Sequence, residues 1–230
     1  MKISVIIPVY NEQNTIAQTI KCVSEAVPKH ELEIVAVNDG STDNSMAVLR
    51  GIGSPGLVLI DQPKNLGKGA AIRAGLEKVT GDIVLIQDAD LEYSPGDYPA
   101  LLKPILEDRA DVVFGTRLLG GGGPQRVLFY WHYLGNKALT TLSNMFTNLN
   151  LSDMEVGLKV FRSSILKKIT LRENRFGFEP EITAKVAKLR CRIYEVPISY
   201  YGRTYEEGKK IGWKDAVSAL RCIIKYAYID

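Results

Sequence analysis

Five short runs rich in β-branched residues recur through the first half of the chain: residues 3–9 (ISVIIPV), 32–38 (LEIVAVN), 57–61 (LVLID), 82–88 (DIVLIQD) and 111–117 (DVVFGTR). Several are apolar on both faces, as strands covered on both sides of a sheet must be. Between them, residues 14–26, 43–52, 67–79 and 97–108 have the spacing and length of helices. Strand and helix in alternation predict an α/β fold with a mostly parallel central sheet flanked by helices. Asn11 or Glu12 after Pro8, residues 41–43 (STD) and residues 95–97 (PGD) supply helix starts. Sheets of this kind hold ligands beyond the carboxyl ends of their strands, so function is sought in the segment after each run.

The pattern breaks at residues 120–124, four glycines and a proline, which divide one domain of 1–230 into halves 1–119 and 120–230. Residues 126–146 then read as an apolar, aromatic-rich helix or pair of helices, the start of a helical lobe. Two more strands follow at 157–162 and 192–199, with a helical run at 179–189. In the last segment Trp213, Val217, Leu220 and Ile224 share one helical face, and Lys214, Arg221 and Lys225 another. Such a helix can pack on its own domain or lie on an anionic membrane surface.

A chain of 230 residues that is 46% hydrophobic can bury a sizeable core. A net charge of +3 is too small to argue for nucleic acid. Cys22, Cys191 and Cys222 form no C-x-x-C pair, so no zinc knuckle or redox motif is expected, and reduced thiols fit a cytoplasmic setting. The first residues lack a signal-peptide pattern, and no apolar run approaches the ~18 residues of a membrane span. Work at a membrane would be done from its surface.

The fourth run leads into residues 87–92 (QDADLE). Asp88, Asp90 and Glu92 alternate at the strand's carboxyl edge and suggest a divalent cation holding phosphates; an acidic turn capping the helix after Ser94 is the alternative. In residues 8–12 (PVYNE), Pro8 stiffens the strand exit, and Tyr10 and Glu12 could stack on and hydrogen-bond to a base, although a turn and cap explain them equally. Residues 37–43 (VNDGSTD) bring Asp39 to the same edge, as a base or ribose acceptor or as part of an Asx turn. In residues 65–75 (NLGKGAAIRAG), Gly67 and Gly69 let a helix N-terminus approach an anion and Lys68 adds charge, or the glycines serve close packing. Neither phosphate-loop nor dinucleotide glycine spacing is present. Arg117 ends the fifth strand, where it suits a phosphate or carboxylate or balances Asp88 or Asp90. Residues 195–215 set Arg203, Lys209 and Lys210 among glycines, as a mobile lid over a diphosphate or as a solvated loop.

Taken in order, these segments resemble a family-2 glycosyltransferase, and more narrowly the dolichyl- and polyprenyl-phosphate sugar transferases of the dolichol-phosphate mannose synthase type. The resemblance covers nearly the whole chain. It implies a GT-A fold, Mg²⁺ or Mn²⁺, a GDP- or UDP-hexose donor and inversion at the anomeric carbon. It places Pro8, Tyr10, Glu12, Asp39, Lys68, Asp88 and Ala89 at the nucleotide sugar, with Arg203 and Lys210 closing over the diphosphate. Asp88, Asp90 and Glu92 become metal ligands; relatives often carry glutamine at the position of Glu92. Arg117 and Arg126 would receive an acceptor phosphate. Residues 152–157 (SDMEVG) align with an acidic acceptor loop, making Asp153 a base, an acceptor-positioning group or a helix cap. Catalysis would rest on Asp90, Arg117, Asp153 and Arg203. The acceptor implied is polyprenyl phosphate, which needs no base; a glycan or small-molecule hydroxyl would need one. Residues 127–134 suit an isoprenoid chain or an interlobe core. The implied setting is the cytoplasm, peripheral on the inner membrane face, through direct contact or a partner protein. A nucleotide-binding subunit without catalysis is the alternative of another class.

Overall fold

A computed structural model describes residues 1–120, 126–127, 129–204, 206–207 and 213–229, with the side chains of Trp213 and Lys214 left aside. Lys209 and Lys210 lie outside the described residues. One seven-stranded sheet organises the chain, built from β1 (Lys2–Val9), β2 (Glu31–Asp39), β3 (Leu57–Gln62), β4 (Ile83–Ile86), β5 (Val112–Thr116), β6 (Lys159–Arg162) and β7 (Ile193–Pro197). Their spatial order is β3-β2-β1-β4-β6-β5-β7. Every pairing is parallel except those of β6, which runs antiparallel to both β4 and β5. The sheet is thus mixed α/β and mostly parallel, and both halves of the chain contribute strands to it.

The helices are α1 (Ile16–Ala26), α2 (Ser45–Gly51), α3 (Lys68–Leu76), α4 (Tyr98–Leu106), α5 (Tyr130–Thr147), α6 (Ser163–Leu166), α7 (Phe178–Lys188) and α8 (Trp213–Tyr228). Local sequence accounts for most of them. In α1, Ile16, Ile20 and Val23 fall at helical spacing and are buried against the sheet. In α3 a side chain at Gly75 would press on Ile6, so glycine lets this helix sit close on β1. Val5, Ile6 and Ile7 of β1, Val84 and Leu85 of β4, and Val112, Val113 and Phe114 of β5 are fully enclosed. Each such side chain stabilises the fold by about 1.5–3 kcal/mol relative to exposure.

The segment 126–146, read from sequence as one helix or two, holds a single helix, α5, that starts only at Tyr130 and is closed by Asn148 in the left-handed conformation at φ 54°. Its amphipathicity is reversed. The two residues it buries, Thr140 and Ser143, are small and polar, whereas Tyr130, Trp131, Leu134, Met145 and Phe146 are exposed. It packs against α7 and α8, and Phe146 meets Tyr228 edge to face at 6.0 Å. In α8, Ala219, Cys222, Ile223 and Tyr226 are buried, while Val217, Leu220 and Ile224 face outward. The face that its spacing marked as apolar is therefore the exposed one. No helix among the described residues is long and apolar enough to cross a membrane.

Candidate active site at the carboxyl edge of the sheet

The segments after β1, β2, β4 and β5 meet at one edge, and the chain after β7 folds over them. Arg203 is the centre of one cluster. Its guanidinium lies 3.0 Å from Glu12, 3.1 Å from Asp90 and 3.3 Å from Glu92. Its backbone N–H also donates to Glu92, and Tyr200 O–H donates to the other Glu92 oxygen at 2.7 Å. Residues 200–203 are therefore tied down onto the acidic loop. Arg203 is held charged: burial disfavours the cation, but Glu12, Asp90 and Glu92 outweigh it.

Asp88 turns the other way. Lys68, the first residue of α3, bridges Asp88 at 2.8 Å and Glu179 at 3.1 Å. A side chain at Gly157 would collide with the Asp88 carboxylate, so glycine there is what allows Asp88 its position. Lys68 is driven upward because Asp88 and Glu179 overcome the cost of burial. Asp90 moves toward neutrality, pushed up to about 7 by burial and by repulsion from Asp88 and Glu92, with Arg203 pulling against them.

The expectation of one cation held by Asp88, Asp90 and Glu92 meets a different arrangement. Among the described residues no three acidic, His or Cys side chains are grouped to hold a metal ion. Glu92 is drawn to Tyr200 and Arg203 in the chain after β7, and Asp88 to Lys68. The donor set nonetheless fits a divalent cation at Asp90. Glu12, Asp90 and Glu92 share one guanidinium there, and Asp90 is pushed up first by burial and then by the charges of Asp88 and Glu92.

Arg117 and Asp153 form a second centre. Arg117 donates through Nε and an Nη to the two oxygens of Asp153, at 2.6 and 2.7 Å, and through its backbone N–H at 3.2 Å. Asp153 is fully enclosed and Arg117 nearly so. Burial works against the Asp153 charge, but Arg117 beside it prevails and holds the carboxyl below the usual range. A carboxylate so occupied is a poor proton acceptor and a firm anchor for the guanidinium. Arg117 also lies 5.2 Å from the ring centre of Tyr200, which joins this centre to the chain after β7. Of the pairings expected for Arg117, neither Asp88 nor Asp90 is the partner.

Other expected site residues have partners within the chain or positions along the sheet edge. Asp39 accepts the backbone N–H groups of Leu66 and Gly67, both at 2.8 Å, and Ala70 N–H donates to Asn174. Three amides around the start of α3, those of residues 66, 67 and 70, are thus occupied from within, where the sequence suggested an anion site. Gly67, at φ 101°, and Gly69 both allow close approach to residues 173–175. The Asx turn belongs to Asn38, which accepts from Ser41 N–H. Pro8 lies within β1 opposite Val37, Tyr10 is half-buried beyond it, and the carbonyl of Ala89 accepts from Thr19. Arg126 makes a half-exposed ion pair with Glu207 at 2.7 Å and donates to the carbonyl of Gly202.

Sequence reasoning missed Glu179, Glu155 and Lys159. Lys159 is fully enclosed in β6, donates to the carbonyls of Met154 and Val156, and has its ammonium pushed down by burial. Glu155 is pushed up by burial and by Glu179. A strand lysine and a first-turn glutamate give no local signal; the pairing of β6 with β4 places Lys159, and Lys68 links Glu179 to Asp88.

A sheet of this order with acidic and basic centres at its carboxyl edge defines a GT-A glycosyltransferase fold. Residues 4–170 match Glycosyl transferase family 2, and the chain belongs to that family. It is 26% identical over 214 residues to dodecaprenyl-phosphate galacturonate synthase of Rhizobium johnstonii, covering 91% of this chain and 62% of that one. It is 31% identical over 212 residues to undecaprenyl-phosphate 4-deoxy-4-formamido-L-arabinose transferase of Edwardsiella ictaluri, covering 90% and 62%. The chain therefore spans about three-fifths of the length of these relatives. In fold it is similar to glucosyl-3-phosphoglycerate synthase from Mycobacterium tuberculosis, solved with Mn²⁺, UDP and phosphoglyceric acid, with a TM-score of 0.77 and 19% identity over 100% of this chain and 79% of that one. The same synthase solved with Mg²⁺ and UDP gives a TM-score of 0.74 at 20% identity over 100% and 80%.

Proposed function

We propose that the chain transfers a hexose from a nucleoside diphosphate sugar to a polyprenyl phosphate, with inversion. The observation that carries this reading is the adjacency of two unlike centres, the acidic Asp88–Asp90 edge under the Arg203 lid and the Arg117–Asp153 pair, with Tyr200 between them. Both named relatives are polyprenyl-phosphate enzymes. Asp90 with Asp88 would hold Mg²⁺ or Mn²⁺, which would neutralise charge growing on the departing diphosphate. Arg203 would turn from Asp90 to the diphosphate and bring residues 200–204 with it. Arg117, oriented by Asp153, would take the acceptor phosphate through charge-assisted hydrogen bonds. A lipid phosphate is already anionic, so its oxygen attacks the anomeric carbon as the bond to the diphosphate oxygen breaks, and no proton need move. The depressed Asp153 favours this acceptor over a hydroxyl.

The test is transfer from radiolabelled UDP- and GDP-hexoses to undecaprenyl phosphate, with Mn²⁺ or with EDTA. Labelled lipid from one donor, lost on chelation, is the expected result. Turnover onto soluble hydroxyl acceptors but never onto the lipid would move the reading to the glycan alternative.

Acceptor access accounts for the reversed α5. Between residues 118 and 152 the sequence has no Asp or Glu, while it has Arg126 and Lys137. Val127 and Trp131 are 95% and 76% exposed. A segment without acidic residues and with exposed Trp and Tyr matches an anionic lipid surface. Asn144 of α5 holds both N–H and C=O of Leu151, so the helix is rooted beside Asp153. The protein is therefore expected to sediment with phosphatidylglycerol vesicles, and a Trp131→Glu, Met145→Glu double variant to stay in the supernatant. Equal sedimentation of the two would remove α5 from the membrane contact.

A further inference from the structure

Two carboxylates at the first turn of α7 stand in the same helix, two residues apart, with opposite degrees of satisfaction. Glu181 is saturated: it accepts the backbone N–H groups of Arg172 and Glu173, each at 2.8 Å, and the Lys185 ammonium at 2.9 Å. That is what a carboxylate placed for the fold alone looks like. Glu179 is 2% exposed, yet only Oε1 is engaged, by Lys68 at 3.1 Å, while Oε2 is buried without a hydrogen-bond partner. Glu155 Oε1 is a second buried oxygen in that condition, and Glu179 is the charged group acting most strongly on it.

A buried, unsatisfied carboxylate oxygen costs free energy and calls for a donor. The donors nearby are spoken for. Lys68 is shared between Asp88 and Glu179, Lys159 is turned to the carbonyls of Met154 and Val156, and Arg117 is fully engaged with Asp153. A bound molecule that donates would satisfy the two oxygens. A phosphate would only repel these oxygens; a group with several O–H donors and no negative charge fits. Through Lys68 the unsatisfied oxygen is one bridge away from Asp88, at the edge where a nucleoside diphosphate would end.

We infer that Glu179, with Glu155 beside it, forms the subsite that accepts hydroxyl hydrogen bonds from the hexose of the donor, and so reads the sugar and not the nucleotide. This rests on the proposed sugar transfer. Glu179 lies beyond residues 4–170, which the family match covers.

The experiment is calorimetric titration of the wild type and Glu179→Gln with UDP and UDP-glucose, and with GDP and GDP-mannose, each with Mn²⁺. Expected is unchanged affinity for the nucleoside diphosphate and roughly tenfold or greater loss for the nucleotide sugar, since a hydrogen bond to a charged acceptor is at stake. An equal loss for both ligands would make Glu179 a support for Lys68 and overturn the inference. No loss for either would mean that the oxygens meet only water. Should Glu179→Gln not fold, single-deoxy nucleotide sugars titrated into the wild type decide: at least one must bind distinctly more weakly than its parent, and uniform binding overturns the subsite. Failure of the wild type to bind any nucleotide with Mn²⁺ would instead overturn the transferase reading itself.

Discussion

Asp90→Asn is expected to lower sugar transfer by about 10³-fold, the scale seen when a charge-stabilising group is removed from a reacting centre, with the melting temperature unchanged or raised. The two halves of that result have one cause. Burial strains the charge on Asp90, and the crowding by Asp88 and Glu92 adds to it. Removing the charge relieves the folded protein while Arg203 keeps Glu12 and Glu92 as partners. A divalent cation held at Asp90, as proposed, would relieve that same crowding, so activity and stability should move apart at this residue. The check is a pair of measurements: initial rates with Mn²⁺, and melting curves with nucleoside diphosphate, with and without Mn²⁺. In the wild type a ligand at about 100 times its dissociation constant adds about 2.7 kcal/mol, and Asp90→Asn should lose the part of that shift that depends on Mn²⁺. A variant that keeps the full Mn²⁺-dependent shift would place the cation elsewhere.

Asp153→Ala should have the largest cost in stability. It strands the Arg117 guanidinium in a nearly closed site, and breaking a buried pair by removing one partner costs about 3–5 kcal/mol. In a chain of this size that corresponds to a fall in melting temperature of about 10 °C. Denaturant unfolding with an unchanged slope would confirm that native stability, not compactness, has changed. The functional consequence is also specific. If Asp153 positions Arg117, then Asp153→Asn, which keeps one acceptor oxygen, should raise the KM for lipid phosphate far more than it lowers kcat, and leave nucleotide affinity alone. If Asp153 takes a proton from the acceptor, kcat should collapse with KM little changed, and the hydroxyl-acceptor alternative would gain.

Much of this architecture could be read from residues alone, because it rests on short-range regularities. The β-branched runs became β1 to β5 within a few residues of their expected limits, and residues 157–162 and 192–199 held β6 and β7. What stayed hidden depends on partners distant in sequence. Nothing local shows that Arg117 belongs to Asp153, that Asp39 is used up on the amides of residues 66 and 67, or that Lys68 divides itself between Asp88 and Glu179. The acidic trio was visible as a spacing, yet spacing alone did not reveal that the chain after β7 would claim Glu92. The reversal of α5 was concealed for another reason: a helix with apolar residues over much of its surface does not announce which face is inward, and only Thr140 and Ser143, packed inside, show it.

The antiparallel strand β6 sets a condition on how the molecule comes into being. β4 and β5 are successive strands in the chain but not neighbours in the sheet; residues 159–162 are inserted between them, running the opposite way. While the chain is being synthesised, everything up to β5 can emerge and still leave a strand-wide slot with open hydrogen-bonding edges on both sides. Those edges are sticky until Lys159–Arg162 arrives. Its arrival also drags a lysine into the interior and sets Gly157 against Asp88. The last central strand to be made is thus also the one that completes this edge of the sheet, so a nascent chain cannot finish the proposed acceptor side before its sheet is sealed.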